Sequence, residues 1–300
     1  MAGLLLSREA PIGVIMTTVF LAQTFDSSVN YFWPVWPWPE SHFSWIVLLA
    51  ELLVILSISP WLLGMVIIHE QQVGIVVKIF GFKSLPPGQL IALENEAGYQ
   101  ADTLAPGLHF GYWFFQYSVL KVPMVHIPSG EIGLVLANAG VPIPPERILA
   151  RGVSCDNFQD ARAFLESGGE KGRQLAILTA GTYRINTALF SIITSGNARA
   201  FQLDPHQLLV YRVVPDAVGI VTTLDGRPID PGEIAGEQVP SHDNFQNAQA
   251  FLDNGGRRGL QEQILLSGTW NLNPWFASVE QVSMLEIPIG HVGVVISYVG

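Results

Sequence analysis

A single cysteine, Cys155, stands in 300 residues, so no intramolecular disulfide framework holds this chain, and cysteine usage leaves the redox compartment open. Charge is equally scarce. Asp, Glu, Lys and Arg make up 13% of the sequence, about half the usual ~25%. The 15 basic residues are outnumbered by 25 acidic ones, for a net charge of −10. That balance argues against nucleic-acid binding, which needs clustered cations to displace counterions, and against a polybasic lipid-binding patch. Between Glu9 and Val77 there is no Lys or Arg at all.

Chemistry-bearing residues are thin on the ground. The seven histidines (His42, His69, His109, His126, His206, His242 and His291) are scattered, with no H-E-x-x-H or other ligand pair at metal spacing. Cys155 lacks a Cys/His/Asn thiol-hydrolase signature, and its counterpart in an internal repeat is His242, which points to a tolerant packing position. The Gly-Gly pairs at 168 and 255 precede charges but lack the G-x-x-x-x-G-K-[ST] spacing of a phosphate loop. No catalytic residue, cofactor or metal is expected.

What the chain does have is a long apolar run, WIVLLAELLVILSISPWLLGMVII from Trp45 to Ile68, with Glu51 as its single charge. As a helix it is long enough to cross a hydrocarbon core of ~30 Å. A carboxylate inside a span is costly and marks Glu51 as a candidate partner contact. Trp33, Trp36, Trp38 and Trp45 crowd the lead-in, where amphipathic rings settle at headgroup depth. A transmembrane helix is therefore expected over 45–69. The preceding 1–44 include a shorter apolar stretch, Pro11 to Phe25, which reads as a first hairpin arm or an interfacial segment. As a signal peptide it has a poor basic end, since Arg8 is its only positive charge.

After the anchor the sequence repeats itself. Residues 156–186, DNFQDARAFLESGGEKGRQLAILTAGTYRIN, match 243–273, DNFQNAQAFLDNGGRRGLQEQILLSGTWNLN, without a gap and with about half the positions identical. A strand-like pattern recurs four times, as VGIVVKIFG from Val73, IGLVLANAG from Ile132, VGIVTTLDG from Val218 and VGVVISYVG from Val292. A third element, Gly followed by aromatic and apolar residues, recurs as APGLHF, AGTYRIN and SGTWNLN at 105, 180 and 267. Within each duplicated block Asp156 and Asp243 read as helix N-caps, and Gly168-Gly169 and Gly255-Gly256 as helix stops. The expected fold is α+β: an N-terminal transmembrane anchor, then β-rich modules with short helices over 70–131, 132–217 and 218–300. The last includes the start of a further unit, so either the final strand completes the preceding fold or the chain is a piece of something longer.

The order of apolar span, EQQVGIVVKIFG and LAPGLHFGYWFFQYSVLKVP resembles the start of a Band 7 (SPFH) domain, the family of stomatins, prohibitins and flotillins. The most specific string is Pro106-Gly107-Leu108-His109-Phe110. The blocks at 172 and 258 are similar to repeats of bacterial flotillin-like members, and more distantly to vault-type repeats. The resemblance implies a non-enzymatic scaffold that lies on the lipid bilayer and assembles as a homo-oligomeric ring or cage around membrane-protein clients. A regulatory or holding subunit for a membrane protease or transporter is the alternative it leaves open. The long Ala/Glu-rich coiled coil that usually follows the domain is absent here, a second reason to read the chain as a fragment.

The empty Lys/Arg interval before Lys78 predicts that the part after residue 70 faces the cytoplasm. Protease added to sealed, right-side-out cells or spheroplasts should leave that part intact. Cleavage there without lysis would reverse the topology.

Overall fold

In the computed structural model, which describes residues 40–86 and 88–296, one apolar N-terminal helix is followed by three β-sheet modules of the same plan. The helix α1 (Glu40–Leu62) ends six residues before the apolar run does. Gly64, at φ +59°, stops it, and Val66–Ile68 leave as strand β1.

The first module continues with β2 (Gln72–Lys78), β3 (Ile91–Ala92), β4 (Gly98–Leu104), β5 (Gly107–His109) and β6 (Tyr117–Pro123). The second has β7 (Val125–Ile127), β8 (Gly133–Ala137), β9 (Val141–Pro142), helix α2 (Ala161–Glu166), β10 (Glu170–Leu178), β11 (Gly181–Tyr183) and β12 (Phe190–Ile193). The third has β13 (Tyr211–Val213), β14 (Ala217–Thr223), β15 (Arg227–Pro228), helix α3 (Ala248–Asp253), β16 (Arg257–Leu260), β17 (Gly268–Trp270) and β18 (Ala277–Ser283). Their four-stranded sheets run β3-β4-β2-β6, β9-β10-β8-β12 and β15-β16-β14-β18, and each module adds a two-stranded ribbon, β1-β5, β7-β11 or β13-β17. Strand pairing thus starts the modules at Val66, Val125 and Tyr211, a few residues before the expected 70, 132 and 218. The first module has the complete sheet, although among its described residues no helix interrupts it and the duplicated block does not reach it.

All three sheets share one local device. Gly98-Tyr-Gln100, Gly172-Arg-Gln174 and Gly259-Leu-Gln261 place a glycine at φ +122 to +128° two residues before a glutamine. Each glutamine amide donates back to the carbonyls two and four residues earlier, at 2.7–3.0 Å. In the first two modules the strand bulges there, shown by the register shifts between Ile75 and Val77 and between Arg173 and Ile177.

The helices begin later than expected, and this corrects the reading of Asp156 and Asp243. The caps are Asp160, accepting from Ala163 N at 2.8 Å, and Asn247, accepting from Ala250 N at 3.0 Å. Asp156, Asn157 and Phe158 are instead consecutive left-handed residues at φ 49, 51 and 63°, matched by Asp243, Asn244 and Phe245 at 49, 51 and 67°. Left-handed backbone costs a non-glycine residue roughly 1–2 kcal/mol, so something must hold the turn. Asp160 N donates to Cys155 O and Asn247 N to His242 O, closing it in both copies. Phe158 and Phe245, 4% and 1% exposed, are buried in exchange, each burial contributing about 1.5–3 kcal/mol. The Gly-Gly stops hold as expected. Gly168 and Gly255 have positive φ, and a Cβ on Gly169 or Gly256 would lie 2.6 or 2.2 Å from the ring of Phe164 or Phe251.

The two larger cores lie across the junctions between modules, and a small third one, with Ile68, Val76 and Leu104, lies within the first module. One joins Ile91 and Ala101 of the first module to Phe158, Phe164 and Phe190 of the second. The larger one joins Leu134 and Leu175 of the second to Phe245, Phe251 and Phe276 of the third. At each junction a buried asparagine reaches back. Asn186 Nδ2 donates to Gln100 O and Ala101 O at 3.0 Å, and Asn273 Nδ2 to Gln174 O and Leu175 O at 3.1 and 2.9 Å. Its oxygen meanwhile accepts from Ala188 N or Trp275 N.

The run from Val292, expected as a fourth strand, pairs with nothing among the described residues. It keeps the bend of the other copies, with His291 N on Pro288 O at 3.0 Å and Gly290 at φ +87°, like Glu131 N on Pro128 O and Gly130 at +85°. Without flanking strands Val292 and Val294 are 91% and 84% exposed, where Ile132 and Leu134 are fully buried.

Asn273→Ala would leave the Gln174 and Leu175 carbonyls without their donor, at a cost of about 1–3 kcal/mol. Asn186→Ala should cost a similar amount at the other junction. Denaturant unfolding of the detergent-solubilised protein measures both. Midpoints unchanged in the two variants would show that the clamp does not hold the modules together.

Candidate membrane interface

From Trp45 to Leu62 the helix has no buried residue and one charge, Glu51. Its 23 residues extend over about 35 Å at ~1.5 Å per residue. A helix of this kind is compatible with a membrane anchor and with a signal sequence. Trp45 is 70% exposed on it. Trp33, Trp36 and Trp38, and the Pro11–Phe25 stretch, lie outside the described residues.

The end of the helix is finished with care. Pro60 has no N–H to offer the carbonyl four residues back, and Ser59 Oγ donates to that carbonyl, Leu56 O, at 3.0 Å. The last turn closes through Leu63 N on Ser59 O and Met65 N on Pro60 O, at 2.9 and 2.8 Å. The carbonyls that a helix end leaves bare are taken by the first module. Gly111 N donates to Leu63 O and Tyr112 N to Gly64 O, both at 3.0 Å, and Trp113 Nε1 donates to Leu62 O at 2.9 Å. Gly64 permits this approach, since a Cβ there would sit 2.8 Å from Trp113 N.

The Pro106–Phe110 string is brought to the same place. β1 pairs antiparallel with β5, setting Val66 opposite His109, Ile67 opposite Leu108 and Ile68 opposite Gly107. His109 has a structural task there. Its Nε2 donates to Ala105 O at 2.8 Å, four residues back. Tyr183 Oη does the same to Thr179 O at 2.9 Å, and Trp270 Nε1 to Leu266 O at 3.1 Å. Three unlike rings thus close one recurring turn, each as a donor.

Around the helix end lies a set of rings that composition alone did not single out. Trp61 stacks on Phe114 with centroids 4.9 Å apart, Phe114 meets Phe115 edge-on at 5.6 Å, and Trp113 lies parallel to Phe115 at 6.2 Å. A groove of about 430 Å³ runs beside them, lined by Trp61, Met65, Val66, Tyr112 and Phe114 with Lys121 among its residues. The signal was present in the sequence: no Asp, Glu, Lys or Arg stands between Asp102 and Lys121.

Cys155 is buried and far from this chemistry in character. Burial pushes its thiol up, an effect the nearby Phe158 backbone N–H opposes. His242 holds the matching place, with Nδ1 accepting from Phe245 N at 2.8 Å and Nε2 donating to Gln263 Oε1 at 2.9 Å. The imidazole braces the left-handed turn by these bonds, while Cys155 fills its place by packing in the core. Among the described residues no three His, Cys, Asp or Glu gather as a metal site.

Gly64→Ala should break the seat of the helix, because it adds a Cβ in contact with backbone at a left-handed position. In hydrogen exchange of the detergent-solubilised protein, the amides of Gly111 and Tyr112 should lose protection. Amides in the second and third modules should keep theirs. Unchanged protection at 111 and 112 would contradict the described contact.

We compared the chain with family models, with curated proteins and with solved structures, and none of the three yields a match.

Proposed function

We propose that this protein is a membrane-anchored, non-enzymatic scaffold of the Band 7 (SPFH) kind, assembling side by side on the bilayer to organise membrane microdomains and their protein clients. The observation that carries this reading is the helix of Trp45–Leu62, apolar and unburied, whose last carbonyl and the two that follow it accept from the Trp113 indole and from the backbone of Gly111 and Tyr112 in the first module. In hydrocarbon a helix end has no water to satisfy it, so a domain-supplied cap suits an anchor that stays attached to its domain. A cleaved signal sequence gains nothing from such a seat.

Assembly is supported by the sheet edges. β6, β12 and β18 occupy the same outer position in their sheets, and among the described residues none pairs with a further strand on that side. Such edges invite pairing with another chain unless they are blunted. Anchors in one bilayer give all copies one plane and raise their effective concentration. Identical head-to-tail contacts then close into a ring or cage where the rotation allows. In this reading the soluble part is cytoplasmic and the partners are the lipid bilayer and further copies of the chain.

Two measurements test the proposal. Alkaline carbonate extraction should leave the protein in the membrane pellet; most of it in the supernatant would sink the anchor. Cross-linking in native membranes should give a ladder beyond dimer. A monomer-only pattern beside a well cross-linked control would end the scaffold reading. A protease or transporter co-purifying in fixed ratio would favour the holding-subunit alternative instead.

A further inference from the structure

The turn that follows β5, β11 and β17 has one job in the second and third modules. Asn186 and Asn273, at its corner, dock onto the preceding module, and Leu189 N, Phe190 N, Phe276 N and Ala277 N fold back on their carbonyls. In the first module Gln116 N and Tyr117 N fold back on Trp113 O in the same way, so Trp113 occupies the corner. No module precedes it among the described residues. The corner docks on the end of α1 instead, through Trp113 Nε1 and Leu62 O.

The junction positions change accordingly. Ile185, Leu189, Leu272 and Phe276 are turned into the junctions and are 0–7% exposed, whereas Tyr112 and Gln116, which hold the matching places in the first module, are half-buried. Beside them Phe110, Phe114 and Phe115 are 55–58% exposed and Trp113 is 40%, and Trp61 on the helix is 60%. Large rings left in water beside a helix end, with no charged residue from Thr103 to Leu120, describe a surface shaped for a medium apolar on one side and polar on the other. Trp indole N–H and Tyr hydroxyl with apolar ring bodies suit headgroup depth. Lys121, at the groove beside them, offers a cation at the level of lipid phosphates.

We propose that the loop Phe110–Gln116 is a second membrane contact, an interfacial foot whose rings lie among lipid headgroups and upper acyl chains next to the point where α1 leaves the bilayer. The inference rests on the anchor reading above and adds to it. The helix alone fixes the protein in the membrane, whereas the foot fixes the height and tilt of the first module. The occupant is the lipid surface, and the continuity of Phe114 with Trp61 on the helix itself argues for it.

The test uses the full chain, reconstituted in phosphatidylcholine vesicles, with Phe115→Cys carrying an environment-sensitive fluorophore. Buried Cys155 should leave the unsubstituted chain unlabelled. Leu266→Cys, at a 60% exposed site in the third module, serves as the control. At 115 the emission should be blue-shifted, and lipids bearing a nitroxide near the headgroup should quench it at least about twofold more than at 266, as headgroup depth requires. Carbonate extraction of the same vesicles keeps the two ideas apart. Protein held in the pellet with a water-like, unquenched probe at 115 overturns the foot and leaves the anchor standing. A blue-shifted probe that lipid nitroxides do not quench overturns it as well, assigning the rings to a second protein surface. Protein released into the supernatant removes the anchor, and the foot falls with it.

Discussion

Each four-stranded sheet here leaves an apolar face that its own module cannot cover, and the side-chain amide bridging one module to the bent strand of the previous one is the interaction on which the architecture depends. Asn186 and Asn273 are 0% and 3% exposed, and both satisfy backbone groups in two modules at once. The bend that presents those carbonyls is made by Gln100 and Gln174 folding back on their own strand. Glycine at a left-handed position, glutamine as an internal brace and asparagine from the next module therefore form one device. It behaves as in other stacked repeats, where stability resides in nearest-neighbour interfaces as much as in the units themselves.

The helices follow from that device. Six residues are too few to be helical alone, and α2 and α3 persist because one face is pressed into a junction. Arg162 on α2 makes a two-pronged contact with Asp102 of the first module, at 2.6 and 3.0 Å, and also donates to Leu93 O. At the next junction Gln249 holds the same position and accepts from Gly152 N at 2.9 Å. The partners differ and the placement does not. Packing of Phe164 and Phe251 sets the geometry, while the polar contact adapts to whatever strand lies opposite.

Much of this plan was legible in the sequence because identity between two blocks of one chain reports shared structure directly. The recurring Val-Gly runs became the central strands β2, β8 and β14, and the Gly-Gly pairs became helix stops. Two things were hidden. Asp156 and Asp243 have the chemistry of N-caps, yet the hydrogen bond that starts each helix comes from Asp160 or Asn247, four residues on. A left-handed run of Asp-Asn-Phe has no propensity signal, since it exists only because tertiary burial of the phenylalanine offsets its strain. The inside of the first module was the other. VGIVVKIFG and APGLHF announced the module, but among the described residues its stretch between β2 and β4 carries no helix, and there only Gly98 and Gln100 repeat the bent strand of the duplicated blocks. The Pro106–Phe110 string was visible as a motif, but its position against β1 depends on a pairing across some forty residues of chain that no local pattern encodes.

The first module also shows what a repeat must change when its neighbour is not another repeat. At the internal junctions the corner residue is a small amide, because backbone carbonyls of a bent strand lie within its reach. Against a helix end the same corner must reach a carbonyl on a cylinder of side chains, and an indole N–H on a long flat ring can do so where an amide cannot. Gly64 contributes the remaining space by letting the backbone of Tyr112 and Trp113 approach without a Cβ between them. Beside the indole corner the places of Thr187 and Ala188 are taken by Phe114 and Phe115, and with Phe110 these rings remain outside. The matching position in the second module, Thr187, is exposed as well, so what is particular to the first module is the size of the rings set on that surface, next to a helix with no buried residue over Trp45–Leu62. The corner that seats the helix end therefore also carries the apolar surface that a bilayer would cover.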